Sequence, residues 1–365
     1  MTAAEIRQTA ARLRAGFEAA GAIPVESSIL LPAGPLLDLY GEDIRARAYV
    51  TSDALRGEQM LRPDFTVPVV LAHVESGAGE GCYTYAGEVF RRQDNSLVRP
   101  NEYVQVGFEL IGNTEFDTAE AIVFSEIYRA LQSYHLRAAI GDIGLLAAVV
   151  SGLRTTERRK RALMRHIWRP VRFRALIDRF SGRQAPPASR TALLQAEKPM
   201  ASDVPLIGMR SREEIAARIE ALREDAQTEP LPATEVAALD ALLGISAPAD
   251  RALAELRALG SDLPAISGAL DRLEARLAAF SDRGIDIGRL DFEASYGRTQ
   301  MEYYDGFVFG FYDATNPERP PVASGGRYDA LTRHLGQGRE IPAVGGVIRP
   351  DLLNALMPGN GRGGS

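Results

Sequence analysis

Residues 102–112 read EYVQVGFELIG, and residues 82–91 read CYTYAGEVFR. Both are rich in aromatic and β-branched residues, and a polar loop, RQDNSLVRPN at 92–101, separates them. The pattern predicts two strands of one sheet. Side chains two apart on a strand share a face, so Gln105, Gly107 and Glu109 point the same way. Gly107 between two polar residues leaves room for something close to the sheet. Three other segments carry compatible chemistry: LRPDFTVP at 61–68, YTYAGEVFR at 83–91 and GGRYD at 325–329. Together they supply carboxylates, a hydroxyl, an amide and several tyrosines on strands or strand ends. Such a face suits a small zwitterion, with carboxylates toward the ammonium and donors toward the other end. The plainer alternative is a solvated sheet face whose polar groups pair with each other.

Working outward, Ile6, Ala10, Leu13 and Phe17 recur at helical spacing, and Gly21 stops the helix. Turn residues follow to Tyr40. Residues 45–51 alternate as a strand, and the turn at 53–59 returns the chain to Met60 and Leu61 as a hairpin. Thr66 is placed to cap a helix that runs to Ser76. Asp117 and Glu120 fit a capping box for the helix carrying Ala121, Ser125, Tyr128 and Leu131. From about residue 145 the strand texture gives way to Leu/Ala/Arg/Glu helices. Their clearest stripe is Ile266, Leu270, Leu273 and Leu277, and proline-containing breaks fall at 185–187, 229–232 and 248. Strand texture returns at 285–294 and 306–312, with a short helix near 328–335. The expected fold is therefore α+β: an antiparallel sheet flanked by helices (1–144 and 282–352), interrupted by a helical insertion at 145–281, with a flexible tail at 353–365.

Composition narrows the function classes. The chain has 365 residues, 45% hydrophobic and 25% charged, which excludes disorder as the main state. Lys plus Arg is 42 against 48 Asp plus Glu, a net charge of −6, whereas a protein that wraps a polyanion usually leans basic. The single cysteine, Cys82, excludes an intramolecular disulfide framework and fits a reducing cytosol. No apolar run reaches about 18 residues, and the N-terminus lacks the apolar core of a secretory signal, so the reading is soluble, cytoplasmic and without a membrane span.

The simple chemistry motifs are mostly absent. Four histidines (His73, His135, His166, His334) are scattered, with no pair at metal-ligand spacing, so no metal site is expected. Gly77, Gly79 and Gly81 precede a strand rather than a helix, so a tight turn explains them better than a phosphate loop. The stretch 154–174 holds eight arginines and one lysine against Glu157 alone, with Trp168 among them. Such a stretch attracts phosphates or an acidic partner, or else is simply a solvated helix face.

At the quoted segments the sequence resembles the histidyl-tRNA synthetase catalytic domain, a class II aminoacyl-tRNA synthetase fold. LRPDFT at 61–66 is similar to that family's LRPEGT, Val89–Phe90–Arg91 to the motif 2 FR, QVGFE at 105–109 to its QxGxE, MEYYDGFVF at 301–309 to LDYYTGTVF, and GGRYD at 325–329 to its counterpart. The likeness covers most of 1–140 and 285–352. The departures are as informative. The motif 2 glutamate falls on Gln93, the arginine before LDYY on Thr299, and the motif 3 arginine on Leu352, three residues from Arg349. A positioned donor on a transferring group is worth about 10²–10³ in rate, so the resemblance implies a chain without amino-acid adenylation and without catalytic residues of its own.

The histidine side of the resemblance is kept. It implies that Asp64, Thr66 and Gln105 hold the α-ammonium, that Glu109, Tyr304 and Tyr328 face the imidazole, and that Arg91 and Arg99 remain for an anion. A histidine pocket without the ATP machinery is similar to the ATP phosphoribosyltransferase regulatory subunit family. That family implies a synthetase-like homodimer, assembly with a short-form catalytic subunit, feedback by histidine in histidine biosynthesis, no cofactor and no tRNA. The segment after Leu352 falls where a synthetase would begin its anticodon-binding domain. The competing expectation is an active histidyl-tRNA synthetase or another amino-acid-activating ligase.

Overall fold

The computed structural model describes residues 2–34, 47–93, 100–201, 208–298, 304–336 and 338–356. Its strands are β1 (Ile23–Pro24), β2 (Leu30–Pro32), β3 (Val50–Asp53), β4 (Gly57–Leu61), β5 (Gly81–Phe90), β6 (Glu102–Ile111), β7 (Leu136–Asp142), β8 (Ser246–Pro248), β9 (Leu290–Glu293), β10 (Phe307–Asp313), β11 (Ala323–Arg327) and β12 (Ala343–Ile348). Nine of them form one sheet in the order β1-β5-β6-β12-β11-β10-β7-β9-β8, and β2-β4-β3 form a small separate one. Pairing is antiparallel except at β1–β5 and β7–β9. The fold class and the paired strands at 82–91 and 102–112 are as the sequence reads: β5 and β6 run antiparallel from Gly81↔Ile111 to Phe90↔Glu102.

The helices are α1 (Ala3–Ala19), α2 (Thr66–Ser76), α3 (Phe116–Leu131), α4 (Ile143–Gly152), α5 (Glu157–Arg165), α6 (Pro170–Phe180), α7 (Ala188–Gln195), α8 (Arg212–Gln227), α9 (Ala233–Leu243), α10 (Ala249–Leu259), α11 (Ser267–Asp282), α12 (Asp329–Leu335) and α13 (Pro350–Asn354). No described helix is long and apolar enough to cross a membrane. α1 opens on a capping box between Thr2 and Glu5 and lays Phe17 on Phe108 of β6, ring centroids 5.2 Å apart. α3 and α11 cover the same side of the sheet. Phe307, Phe309 and Phe311 alternate along β10 and meet Phe124 of α3, which stacks on Phe280 of α11 at 4.7 Å. This aromatic layer seals one face of the sheet and leaves the opposite face for the site.

Several local expectations differ from the structure. Thr66 does not cap α2: it is the first helical residue, and the Asp64 carboxylate accepts from the Val67 N–H at 3.3 Å instead. Glu120 closes no capping box, since α3 starts at Phe116 without a side-chain cap. Glu120 is drawn into the interior, where Arg276 and Arg327 both donate to it and Arg276 also bridges to Asp142 at 2.9 Å. The strand expected over 285–294 is shortened to β9, because Asp286 caps a 3₁₀ turn at Ile287–Arg289. Within 145–281 the helices are present, but the last part is built into the main body. β8 pairs with β9 at the sheet edge, and Ile266, Leu270, Leu273 and Leu277 bury the stripe of α11 beneath it. Of the tail, 357–365 lies outside the described residues and Leu353–Asn354 end α13.

Candidate functional site on the open sheet face

Cross-strand register builds this site. On β6, Gln105, Gly107 and Glu109 stand opposite Gly87, Tyr85 and Tyr83 of β5, and Glu109 stands opposite Gly345 of β12, which in turn faces Gly326 of β11. Directly opposed residues share a face, so one row crosses the sheet as Tyr83, Glu109, Gly345, Gly326. The two glycines are required by what lies on them. A Cβ at Gly345 would collide with the Glu109 carboxylate, and one at Gly326 would fall 2.9 Å from the Tyr304 ring. Gly107 likewise gives way to the Tyr85 ring. The neighbouring glycines of the pair, Gly325 and Gly346, admit Phe309 on the opposite face, so GGRYD serves both layers at once.

Glu109 is 1% exposed. Its carboxylate accepts from Tyr328 Oη at 2.7 Å, Tyr85 Oη at 2.8 Å and Thr66 Oγ1 at 3.2 Å. Burial pushes its pKa from 4.5 up to about 7, and the three hydroxyl donors offset only part of that rise. Burial, with Glu109 next to them, holds Tyr85 and Tyr328 well above the ordinary tyrosine value, so both stay donors. Three donors leave about one of a carboxylate's four acceptor positions for a ligand. On the same face Gln105 is buried, and its Oε1 has no hydrogen-bond partner. A buried unsatisfied acceptor costs about 1–3 kcal/mol unless a donor arrives.

The site's flanks come from three loops. Phe65 stacks on Tyr85 at 4.4 Å and carries the Arg62 guanidinium on its other side at 4.2 Å. Arg91 donates to the Pro63 carbonyl at 2.6 Å and lies 3.5 Å from Asp64. Asp305 caps α12 by accepting from Ala330 and Asp329, and burial raises its pKa to about 6. Trp168, from the helical insert, donates Nε1–H to the Tyr304 carbonyl at 3.1 Å.

A family model described as histidyl-tRNA synthetase matches residues 1–203 and 211–353. The ATP phosphoribosyltransferase regulatory subunit of Allorhizobium ampelinum is 32% identical over 354 residues, covering 90% of this chain and 92% of that protein. The protein of the same name from Brucella ovis is 31% identical, covering 94% and 96%. The chain belongs to the ATP phosphoribosyltransferase regulatory subunit family. Solved structures give the same fold. An ATP phosphoribosyltransferase regulatory subunit/histidyl-tRNA synthetase from Bacillus halodurans aligns with TM-score 0.67 at 20% identity, covering 97% of this chain and 79% of that one. A histidine–tRNA ligase subunit from Alicyclobacillus acidocaldarius aligns with TM-score 0.59 at 22% identity, covering 97% and 93%.

Within this regulatory subunit family member, four of the six residues expected at a histidine pocket meet directly or through Glu109's neighbours. Thr66 and Tyr328 bond Glu109, and Tyr304 lies over Gly326, two strands from β6. Gln105 shares their face, and Asp64 stands at the start of α2 beside Arg91. Arg99 and Thr299 lie outside the described residues. Arg349 is engaged elsewhere, bonding Asp351 at 2.7 Å and stacking 4.1 Å over Tyr103. Sequence reading missed Tyr85, although pairing the two opening strands in register places it opposite Gly107. It also missed Arg298, which is buried next to Thr299, donates to the Ile167 carbonyl at 2.7 Å and stacks 4.7 Å over Phe173. Trp168 ties the insert to the site through Tyr304, and Arg298 anchors its own segment to the insert.

Proposed function

We propose that this chain is a non-catalytic regulatory subunit that holds histidine on the open sheet face and transmits its occupancy to a short-form ATP phosphoribosyltransferase catalytic subunit. The observation that carries this reading is that Glu109 and the orphaned Gln105 Oε1 lie on one face of the sheet. A recessed carboxylate with one acceptor position left meets an imidazole N–H, and a buried unpaired amide oxygen on the same face meets the α-ammonium, with Asp64 adding charge. Tyr304, Tyr328 and Thr66 complete the walls. Arg91, held by the Pro63 carbonyl and Asp64, stands at the edge of the site as its cation toward the ligand's carboxylate or another anion. Family membership supports the regulatory role in histidine biosynthesis, and a synthetase-like homodimer in the cytoplasm is the form proposed for it.

Trp168 gives the reading a route outward, because its indole hangs from the Tyr304 backbone while the turn that carries it joins α5 and α6 of the insert. Coupling of this kind is typically worth 1–3 kcal/mol, about 5–150-fold. The test is a transferase assay reconstituted from the catalytic subunit and this chain, with histidine titrated in. Inhibition is expected, and Glu109→Gln and Gln105→Ala should each raise the histidine needed by tenfold or more while circular dichroism stays unchanged. Inhibition that ignores both substitutions, or histidine-dependent pyrophosphate exchange with ATP by the chain alone, contradicts the proposal.

A further inference from the structure

The basic stretch at 154–174 divides in the folded chain. Part of it is neutralised: Arg154 pairs with Glu235, Arg174 with Asp240, Lys160 with Glu157. Arg158, Arg159, Arg161, Arg165 and Arg172 line a cavity of about 820 Å³ walled by α5, α6 and α8, with Arg158 also paired to Glu224 at 3.2 Å. Seven arginines reach it against one carboxylate, Asp225. Asp225 is already held by Arg159 at 2.7 Å and Arg190 at 2.6 Å. Among the described residues, Arg161, Arg165, Arg172 and Arg218 have no ion-pair partner.

Deeper in the cavity, Arg159 and Arg179 stack on the Phe180 ring at 4.9 and 4.7 Å. Arg179 Nε and His166 Nδ1 are buried without partners. Burial and then Arg169, Arg172 and Arg165 pull the His166 pKa down, which is what a concentrated positive potential does to an imidazole. Leu176 and Leu222 give the cavity an apolar floor.

The outer arginines are exposed, as on a solvated helix face, but the unpaired buried Arg179 Nε and His166 Nδ1 behind them are not what such a face builds. Like charges gathered in a concave site repel one another, and unpaired buried donors add about 1–3 kcal/mol each. A multiply charged anion relieves both. Arginine's planar fork fits phosphate oxygens two at a time, and the volume falls within the ~300–1,000 Å³ of small-ligand sites. We propose that this cavity binds a small polyphosphate, the phosphate chain on the arginine wall. A nucleoside attached to that chain would rest on the Leu176–Leu222 floor. The proposal is independent of the histidine reading.

The experiment is calorimetric titration of the full chain, at low salt and without divalent metal, with tripolyphosphate and separately with ATP. Saturable binding is expected, weakened tenfold or more by Arg165→Glu plus Arg218→Glu, both exposed, and unmoved by Arg251→Glu on a distant surface helix. Tighter binding of ATP supports the nucleotide form, and equal binding supports recognition of the phosphate chain alone. Failure of either probe to saturate below millimolar concentration, or binding that survives the double reversal, overturns the proposal.

Discussion

The open sheet face and the cleft of the helical insert solve opposite electrostatic problems. On the sheet one buried acceptor, Glu109, is ringed by three hydroxyl donors and seated over glycine. In the insert seven arginines crowd around a single carboxylate. The first region is nearly complete, with Gln105 Oε1 left over as an acceptor. The second has donors left over. An acceptor surplus selects a cationic or N–H-bearing ligand, and a donor surplus selects an anion. The contrast explains how a chain of net charge −6 can still carry a site for a polyanion.

A third set of charges, Glu120, Asp142 and Asp329 with Arg276 and Arg327, is paired in place and holds the frame between the two regions. Glu120→Ala removes the carboxylate that Arg276 and Arg327 share and leaves each buried guanidinium with one, Asp142 and Asp329 respectively. It is expected to lower unfolding stability by about 3–5 kcal/mol in urea melts, with both sites lost together. Retention of stability would show that the two regions stand on separate supports.

The next effect concerns pH. Glu109 has a folded pKa of about 7 against an ordinary 4.5. The folded chain therefore binds its proton more tightly, so stability from this group is present below about pH 4.5 and falls as pH rises to about 7. At about 1.4 kcal/mol per unit the change is at most about 3.5 kcal/mol. Denaturant melts of the parent and Glu109→Gln across pH 4.5–8 check it: the variant should gain on the parent as pH rises. A flat difference would place Glu109 in a wetter setting than its three donors describe.

The smallest effect is expected for Tyr85→Phe. It removes one of Glu109's donors but keeps the ring stacked on Phe65, so a loss of about 0.5–1.5 kcal/mol is expected. A larger loss, with Tyr328→Phe near neutral, would make the site asymmetric in a way the distances do not.

Much of this was legible in the sequence, for physical reasons that can be named. The period-two alternation of 102–112 sets which residues share a face, so the sequence alone puts Gln105 and Glu109 together. The stripe Ile266 to Leu277 was equally readable, because one buried helix face has one period. What escaped depends on partners far away in the chain. Thr66 looks like a cap locally, yet its hydroxyl is claimed by Glu109, 43 residues on. Glu120 looks like half of a capping box, yet two arginines more than 150 residues distant pull it inside. The edge strand β8 is three residues long and gives no periodicity to read. The arginine stretch was visible as charge, but which arginines find carboxylates and which line a cavity is decided by the packing of α8.

Trp168 is the only tryptophan in the chain and donates to the Tyr304 backbone. Its emission during a histidine titration of the parent protein and of Glu109→Gln therefore reports directly on the open face. A saturable change in the parent that moves to at least tenfold higher histidine in the variant is what the histidine site on Glu109 requires. A saturable change identical in the two proteins, or no heat and no emission change at millimolar histidine, would contradict it.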